Sequence, residues 1–117
     1  MGLRFRKNDS WLPGSPDIVF PKYKAVIFVN GCFWHGHRYC THFKVPSSNI
    51  LFWRHKFATN RKRDRANISK LLDSGYRVGI VWECAITGRD SDKKLASMAD
   101  KILLWLEEDL ATPYIEW

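Results

Sequence analysis

The order of apolar segments along this 117-residue chain predicts an α/β fold in which a mixed sheet lies between two helical layers. Two short apolar runs joined by a tight turn come first, and a long basic helix, a third apolar strand and a second helix follow. The tight turn makes the first two strands antiparallel, whereas a helical crossover favours a parallel third strand. We therefore expect an α/β/α layering with a mixed central β-sheet.

The stretch SPDIVFPKYKAVIFVNG is typical of a β-hairpin. The run IVF forms the first predicted strand, PKY supplies the turn, and AVIFV forms a second strand of β-branched and aromatic residues. A continuous apolar run of this kind is expected where helices cover both sides of a sheet. The second strand should therefore be buried on both faces.

A long helical segment follows the loop that ends at Ser48. Ser48 is a candidate cap for a helix from about residue 49, which we expect to be broken near Thr59, and Gly75 suits a left-handed stop. One face of its second half carries the apolar residues Ile68, Leu71 and Leu72. The basic residues expected on the outside are Arg61, Lys62, Arg63 and Arg65.

The third strand is predicted at YRVGIVWEC, which carries Cys84 at its end. Residues 92–110 then have apolar side chains at helical spacing, which should cover one face of the sheet. These side chains are Leu95, Met98, Ile102, Trp105 and Leu106.

Length and composition favour a single domain over residues 1–117. The chain is 45% hydrophobic and 26% charged, and no apolar run approaches the roughly 20 residues that span a bilayer. Because the first residues also lack the apolar core of a secretory signal, we expect a cytoplasmic protein with no membrane partner. Thiols stay reduced there, so three cysteines indicate metal binding or structural use and not a disulfide framework.

The net charge is +7, and the positive charge concentrates in RHKFATNRKRDR. Such a segment suits a phosphate backbone, because neutralised phosphates release counterions on binding. The candidate DNA contacts are Arg54, Lys56, Arg61, Lys62, Arg63 and Arg65. A basic helix face that is merely solvated is the alternative.

The loop NGCFWHGHRYC carries a possible metal site. Cys32, His37 and Cys40 form the pattern C-x4-H-x2-C, and Cys84 could complete the tetrahedral Cys/His ligand set that structural zinc prefers. Buried free thiols near an unrelated histidine are the alternative. His35 could take the place of His37 as a ligand or, left outside a closed metal site, meet a substrate.

Asp17 and two aromatic residues are further candidates. Asp17 opens a strand after a Pro-Gly turn, where a carboxylate can hold Mg2+ together with substrate phosphate oxygens, although turn and cap aspartates are common. Phe33 and Trp34 follow the second strand. Aromatic residues lie more often in a core than between DNA bases, but a loop is an unusual place for core residues.

Taken together, LPGSPDIVFPKYKAVIFVNGCFWHGHRYC, FWRHKFATNRKRD and GYRVGIVWECAITG closely resemble the very-short-patch-repair (Vsr) endonucleases, the DNA mismatch enzymes of bacteria. The resemblance runs from Leu3 to about Gly88. It implies a restriction-endonuclease-like core with a structural zinc, which nicks double-stranded DNA on the 5′ side of the thymine in a T·G mismatch and uses Mg2+. It also implies a monomer at the bacterial nucleoid, beside a DNA cytosine methyltransferase whose deaminated product leaves the mispair.

The resemblance also implies roles for individual residues. Asp17 matches the metal-binding aspartate, the main-chain carbonyl of Val29 its partner ligand, and His35 the catalytic histidine. The implied zinc ligands are Cys32, His37, Cys40 and Cys84. Phe33 and Trp34 match the aromatic residues that insert beside the mismatched pair.

Three features depart from the family pattern. Asn30 stands where the family usually has a second histidine, so it can hydrogen-bond a water or phosphate but cannot take a proton. The loop HGHRYC is one residue longer than the common form, which shifts Cys40. The family's N-terminal segment, with an acidic residue near the metal site and a part that clamps DNA, has no counterpart here.

Three alternative functions stay open. The first is a zinc-stabilised DNA-binding domain with little or no activity, and the second is a sequence-specific nuclease on the same core. The third is an α/β domain whose basic helix binds RNA or an acidic partner. The presence of both Asp17 and His35 favours an enzyme, and the presence of Phe33 and Trp34 favours DNA as its partner.

Overall fold

The computed structural model describes residues 5–7, 10–37, 40 and 44–117. The first residue of the resemblance, Leu3, lies outside the described residues. So do Arg38 and Tyr39 of the lengthened loop, and the prediction that the extra residue changes the loop falls partly on them.

The described residues contain one five-stranded mixed sheet with the strands in sequence order. The strands are β1 (Arg6–Lys7), β2 (Ile18–Phe20), β3 (Ala25–Asn30), β4 (Arg77–Trp82) and β5 (Tyr114–Glu116). The pairs β1–β2 and β2–β3 are antiparallel, whereas β3–β4 and β4–β5 are parallel. The predicted mixed sheet is confirmed, and its two outer strands are additions that the sequence analysis did not predict.

The turn between β2 and β3 confirms the predicted hairpin. Pro21–Tyr23 form one turn of 3-10 helix, and Lys24 follows in the left-handed conformation with φ 50°. The N–H of Lys24 donates to the carbonyl of Pro21, and Phe20 then pairs with Ala25. Proline fits the start of this turn because its ring already fixes φ near the required value.

Two long helices connect the parallel strands, α1 (Ile50–Asp73) and α2 (Ser91–Glu107). The predicted break near Thr59 is wrong, because the Thr59 hydroxyl donates to the carbonyl of His55 and is satisfied within a continuous helix. The predicted Ser48 cap is also wrong, since Asn49 is the residue at the N-cap position and has φ 56°. Gly75 does end the segment in the left-handed region, at φ 85°. Neither described helix is long and apolar enough to cross a membrane.

The helices cover opposite faces of the sheet, which confirms the α/β/α layering. On the α1 side, the buried cluster consists of Val19, Val26, Leu71, Val78 and Ile80. On the α2 side, it consists of Phe20, Ala25, Ile27, Val81, Met98, Ile102, Trp105 and Leu106. Neighbouring residues of β3 point to opposite faces, so this strand contributes to both clusters. Leu95 is half exposed, and its predicted place on the sheet is wrong.

The parallel pairing of β3 with β4 decides where the loops of interest lie. Asn30 is opposite Trp82, so both strands end at the same edge of the sheet. The loop after Asn30 therefore lies beside a turn of 3-10 helix, Glu83–Ala85, that contains Cys84. Two segments that are far apart in sequence meet at this edge.

The end of α2 is held by a charged side chain from the start of β4. The Arg77 guanidinium stacks over the Trp105 ring, 4.4 Å from its centroid. It donates hydrogen bonds of 2.5 to 3.3 Å to the carbonyls of Trp105, Leu106, Asp109 and Thr112. Helix-terminal carbonyls lack partners within the helix, and Arg77 supplies donors for them.

We predict that Arg77→Met lowers the free energy of unfolding by about 2 to 4 kcal/mol, because partly buried carbonyls lose a charged donor. Urea denaturation followed by circular dichroism measures the change. Arg54→Met, on the exposed face of α1, removes the same charge and should change stability by no more than about 0.5 kcal/mol. Equal effects of the two substitutions would contradict the assigned role of Arg77.

Candidate active site and metal centre

Asp17 is held against the backbone of β3 at the edge of the sheet. Its Oδ2 accepts a hydrogen bond of 2.7 Å from the N–H of Val29. The preceding turn, with Gly14 and Ser15 at φ 78° and 50°, brings the chain into β2 at this place. The predicted pair of Asp17 and Val29 is therefore in direct contact.

His35 lies beside a carboxylate that the sequence analysis missed. Its Nδ1 is 2.5 Å from Oδ2 of Asp64 on α1, and the two side chains are 24% and 23% exposed. A carboxylate at Nδ1 fixes the orientation of the ring and leaves Nε2 available to accept a proton. Asp64 is the one acidic residue within RKRDR, and that isolation was the available signal.

One cavity of about 400 Å³ contains every residue predicted to be catalytic. Its lining includes Asp17, Val29, Asn30 and His35, together with Asp64. The side chain of Asn30 is nearly buried at 8% exposure. The hairpin, the loop after β3 and helix α1 thus contribute to one polar cleft.

A second cavity, of about 420 Å³, adjoins the first. It shares Asn30, His35 and Asp64 with the first and extends to Trp82 and Tyr114. The His35–Asp64 pair therefore lines both cavities.

The predicted metal ligands converge as a four-residue cluster. One ligand atom from each of Cys32, His37, Cys40 and Cys84 lies within 4.8 Å of the others. Sγ of Cys84 is 3.6 Å from Nδ1 of His37. Tetrahedral zinc places sulfur and nitrogen ligands about 3.6 Å apart and two sulfurs about 3.8 Å apart, so the cluster fits such an ion with small movements.

The surroundings of the cluster favour a bound cation. Burial raises the pKa of the Cys32 thiol to about 12 and also raises the pKa of Cys84. Thiols in such a place stay protonated unless a cation stabilises the thiolates. The His37 ring stacks on Trp82 with 4.0 Å between centroids, which fixes its orientation. These four residues can hold a metal such as zinc.

The loop aromatics pack against α1 and differ in exposure. Phe33 makes edge contacts with Trp34, Trp53 and Phe57, with centroids 5.1 to 5.6 Å apart. Phe57 is buried, whereas Trp34 is 55% exposed. Trp53 also lies 6.2 Å from Trp34 and was not predicted as a site residue. The spacing of Trp53 and Phe57, one helical turn apart, was its signal.

The predicted basic contacts do not form one uniform surface. Five of the predicted contacts are exposed on α1, namely Arg54, Lys56, Lys62, Arg63 and Arg65. Arg61 differs, because its Nη2 and Nε donate to the carbonyl of Gly36 at 2.6 and 3.2 Å. The prediction that Arg61 lies on the outside is wrong, because its guanidinium reaches back to the loop.

The fold and the site define a class of protein: an α/β domain with a Cys/His metal cluster next to a polar cleft that contains a carboxylate and a carboxylate-paired histidine. Comparison with known proteins narrows this class. The family described as DNA mismatch endonuclease Vsr matches residues 1–41. The chain is 53% identical over 89 residues to the DNA mismatch endonuclease Vsr of Escherichia coli K12, covering 76% of this chain and 56% of that protein.

Two further relatives are nicking enzymes. The chain is 46% identical over 88 residues to the type II nicking enzyme V.NmeAIP of Neisseria meningitidis, covering 75% of this chain and 62% of that protein. It is 45% identical over 87 residues to V.XorIIP of Xanthomonas oryzae, covering 74% and 63%. The chain belongs to the Vsr family of DNA mismatch endonucleases. Its matches span between half and two thirds of the length of these relatives.

We predict that the purified protein binds one equivalent of a thiophilic divalent metal. Cobalt in place of the native metal should give the visible absorption of a tetrahedral thiolate site. Cys84→Ala should abolish this absorption and lower the melting temperature sharply, since structural zinc contributes on the order of 10 kcal/mol to small metal domains. Metal analysis of protein purified without chelator checks the stoichiometry, and a metal-free, fully folded protein would contradict it.

Proposed function

We propose that this chain is a Mg2+-dependent endonuclease domain that nicks one strand of double-stranded DNA on the 5′ side of the thymine in a T·G mismatch. The observation that carries the proposal is the single cleft shared by Asp17, Val29, Asn30 and the His35–Asp64 pair. The relatives named as mismatch endonuclease and nicking enzymes support the same reaction.

The cleft has the parts that phosphodiester hydrolysis needs. The reaction requires a nucleophilic water and neutralisation of the charge that develops on the phosphate. Asp17 and the main-chain carbonyl of Val29 are the proposed ligands of Mg2+, which supplies charge neutralisation when bound. His35 accepts a proton from water through Nε2, and the Asp64 carboxylate stabilises the resulting imidazolium.

Asn30 has a different role from a titratable residue. Its amide can donate to a phosphate oxygen and accept from a water, but it cannot take up the proton of the nucleophile. We therefore assign the proton transfer to His35 and the orientation of water or phosphate to Asn30. A zinc-stabilised DNA-binding domain with little activity is the second candidate, and the amide at position 30 is the observation that favours it.

The metal cluster is proposed to be a closed structural zinc site. Four ligands satisfy a tetrahedral ion and leave no position for substrate. The loop supplies Cys32, His37 and Cys40, and the turn after β4 supplies Cys84. Zinc would thus fix the loop that carries His35 relative to the central strands.

Contacts with DNA are proposed at two surfaces. The five exposed predicted contacts of α1, from Arg54 to Arg65, are proposed to neutralise phosphates, which gives affinity without mismatch preference. The exposed ring of Trp34, supported by Phe33 and Trp53, is the proposed wedge beside the mismatched pair. Opening a base step costs a few kcal/mol and costs least where pairing is already faulty, so a wedge favours mismatches.

The wider setting is proposed from the family resemblance. It includes a restriction-endonuclease-like core in a single domain, a monomeric state and a cytoplasmic place at the bacterial nucleoid. The proposed companion is a DNA cytosine methyltransferase, because deamination of its methylated product yields the T·G mispair. The exposed basic helix is consistent with an enzyme that works on DNA.

We predict that Asp17→Asn abolishes nicking of a T·G duplex, because it removes the anionic metal ligand while preserving shape. His35→Ala should slow nicking by roughly 10²- to 10⁴-fold, and Asp64→Asn should also slow it because the imidazolium loses its stabilising charge. Single-turnover nicking with T·G and T·A duplexes, with and without Mg2+, measures these effects. Asp73→Asn, an equal charge change outside the cleft, is the control and should keep the parental rate. A parent that binds T·G DNA but never nicks it would support the binding-domain candidate.

We predict that Trp34→Ala folds normally but loses discrimination between T·G and T·A duplexes, because a half-exposed ring contributes little to the core. Binding titrations in Ca2+ with both duplexes measure the ratio of affinities. Trp11→Ala is the matched control, since Trp11 is 94% exposed outside the aromatic cluster. An unfolded Trp34→Ala variant would assign the ring to the core, and an unchanged affinity ratio in a folded variant would contradict its role as a wedge.

A further inference from the structure

Three side chains of one helix hold three successive residues of the loop. Asn60 Nδ2 donates to the carbonyl of Trp34 at 2.8 Å, and Asp64 contacts His35. Arg61 donates to the carbonyl of Gly36 through both Nη2 and Nε. These donors and the carboxylate lie within five residues of α1, so the loop segment 34–36 is attached to a single rigid element.

Gly36 lies between His35, the proposed catalytic histidine, and His37, the proposed metal ligand. Its φ is +59°, and a Cβ added there would lie 2.6 Å from Nη2 and 2.8 Å from Nε of Arg61. Glycine at this position therefore provides both the left-handed turn and the room for the guanidinium. His35 and His37 lie on either side of the carbonyl that Arg61 binds.

We propose that Arg61 is a positioning residue that fixes the Gly36 peptide and thereby sets the place of the His35 ring. The proposal rests on the proposed nuclease function. Two nitrogens of the planar guanidinium meet one carbonyl oxygen, so the side chain restrains the rotation of that peptide group. Rotation of the peptide would move His35 on one side and the metal ligand His37 on the other.

This assignment separates Arg61 from the other cations of its helix. The neighbouring Lys62 is exposed and presents its charge to solvent. The guanidinium of Arg61 instead donates to a carbonyl of the loop. A phosphate contact contributes affinity and salt dependence, while a positioning residue contributes to the rate of the bound complex. The two roles predict different kinetic changes.

The test compares Arg61→Met and Arg61→Lys in the metal-loaded protein. Arg61→Met should lower the single-turnover nicking rate at saturating T·G duplex by about 10²-fold, the order expected for a small misplacement of a catalytic group. The Kd in Ca2+, its salt dependence and the metal content should stay near the parental values. Arg61→Lys keeps the charge but has one terminal nitrogen in place of the planar guanidinium. Its nicking rate should therefore be intermediate, about tenfold below that of the parent.

Two other helix residues give matched controls. Lys70→Met removes a cation from the exposed last turn of α1 and should leave nicking unchanged. Lys62→Met should weaken DNA binding and flatten its salt dependence. If Arg61→Met behaves like Lys62→Met, with weaker binding and a normal rate at saturation, Arg61 is a phosphate contact and the proposal is overturned.

Gly36→Ala tests the same contact from the other side. The new methyl group would displace the end of the Arg61 side chain, so the variant should resemble Arg61→Met. The double variant should be no slower than the slower single variant, because both changes remove one interaction. Strictly additive losses would show that the two residues act independently, against the proposal.

Hydrogen exchange separates failure of this inference from failure of the proposed function. The N–H groups of His35 and His37 donate to the carbonyls of Gly31 and Cys32 at 3.1 and 2.9 Å. Arg61→Met should speed their exchange about tenfold, while amides of α2 keep their protection. This holds even if the parent does not nick DNA. Unchanged exchange of these two amides in Arg61→Met overturns the proposal. If Arg61→Met does not fold, the test passes to Arg61→Lys, in which a parental nicking rate and parental amide exchange overturn it.

Discussion

The parallel pairing of β3 with β4 is the constraint on which both sites depend. It brings Asn30 level with Trp82, so the loop that follows one strand lies against the turn that follows the other. The four residues that can hold a metal are drawn from these two segments. Because the loop after β3 also carries His35, a shift of this register would displace His35 and separate Cys84 from the three candidate ligands of the loop.

Helix α1 is the second element that holds the loop in place. Three sides of the helix have different roles. Its apolar side packs on the sheet through Leu71, and its outer side carries exposed cations. Between them lies a polar side on which Asn60, Arg61 and Asp64 meet the loop. The single carboxylate of this group matters electrostatically, since it places negative charge beside an imidazole within a strongly basic helix.

The strands and helices with a clear apolar pattern were predictable from the sequence. Contacts that depend on which side of a helix faces the loop were not. The hairpin and the parallel third strand follow from apolar runs and the crossover rule. The convergence of Cys84 with the loop cysteines was one of two interpretations that the spacing left open, and the four-residue cluster supports it. Asp64 and Trp53 were missed because their local signals, an isolated carboxylate and an aromatic pair one turn apart, do not show which side of a continuous basic helix faces the loop. For the same reason Arg61 was grouped with its exposed neighbours.

The errors at the ends of elements have a related cause. The strands β1 and β5 have two and three residues, which is too short to show an alternating pattern. The expected break in α1 relied on a polar, β-branched Thr59, yet a threonine hydroxyl can bond the carbonyl one turn earlier and stay in a helix. The expected Ser48 cap failed because the chain enters α1 through a left-handed Asn49.

In the proposed mechanism, Asn30 cannot take up a proton, so proton transfer is assigned to the His35–Asp64 pair alone. Among the described residues that line the first cavity, His35 is the only imidazole. A site with two imidazoles can share proton transfer, whereas in the mechanism proposed here the rate depends on the orientation of one ring. That ring is held through its own Nδ1 by Asp64, and through the adjacent peptides by Asn60 and Arg61. Under the proposed mechanism, an amide at position 30 therefore makes the contacts between α1 and the loop more important for catalysis than their charge alone would indicate.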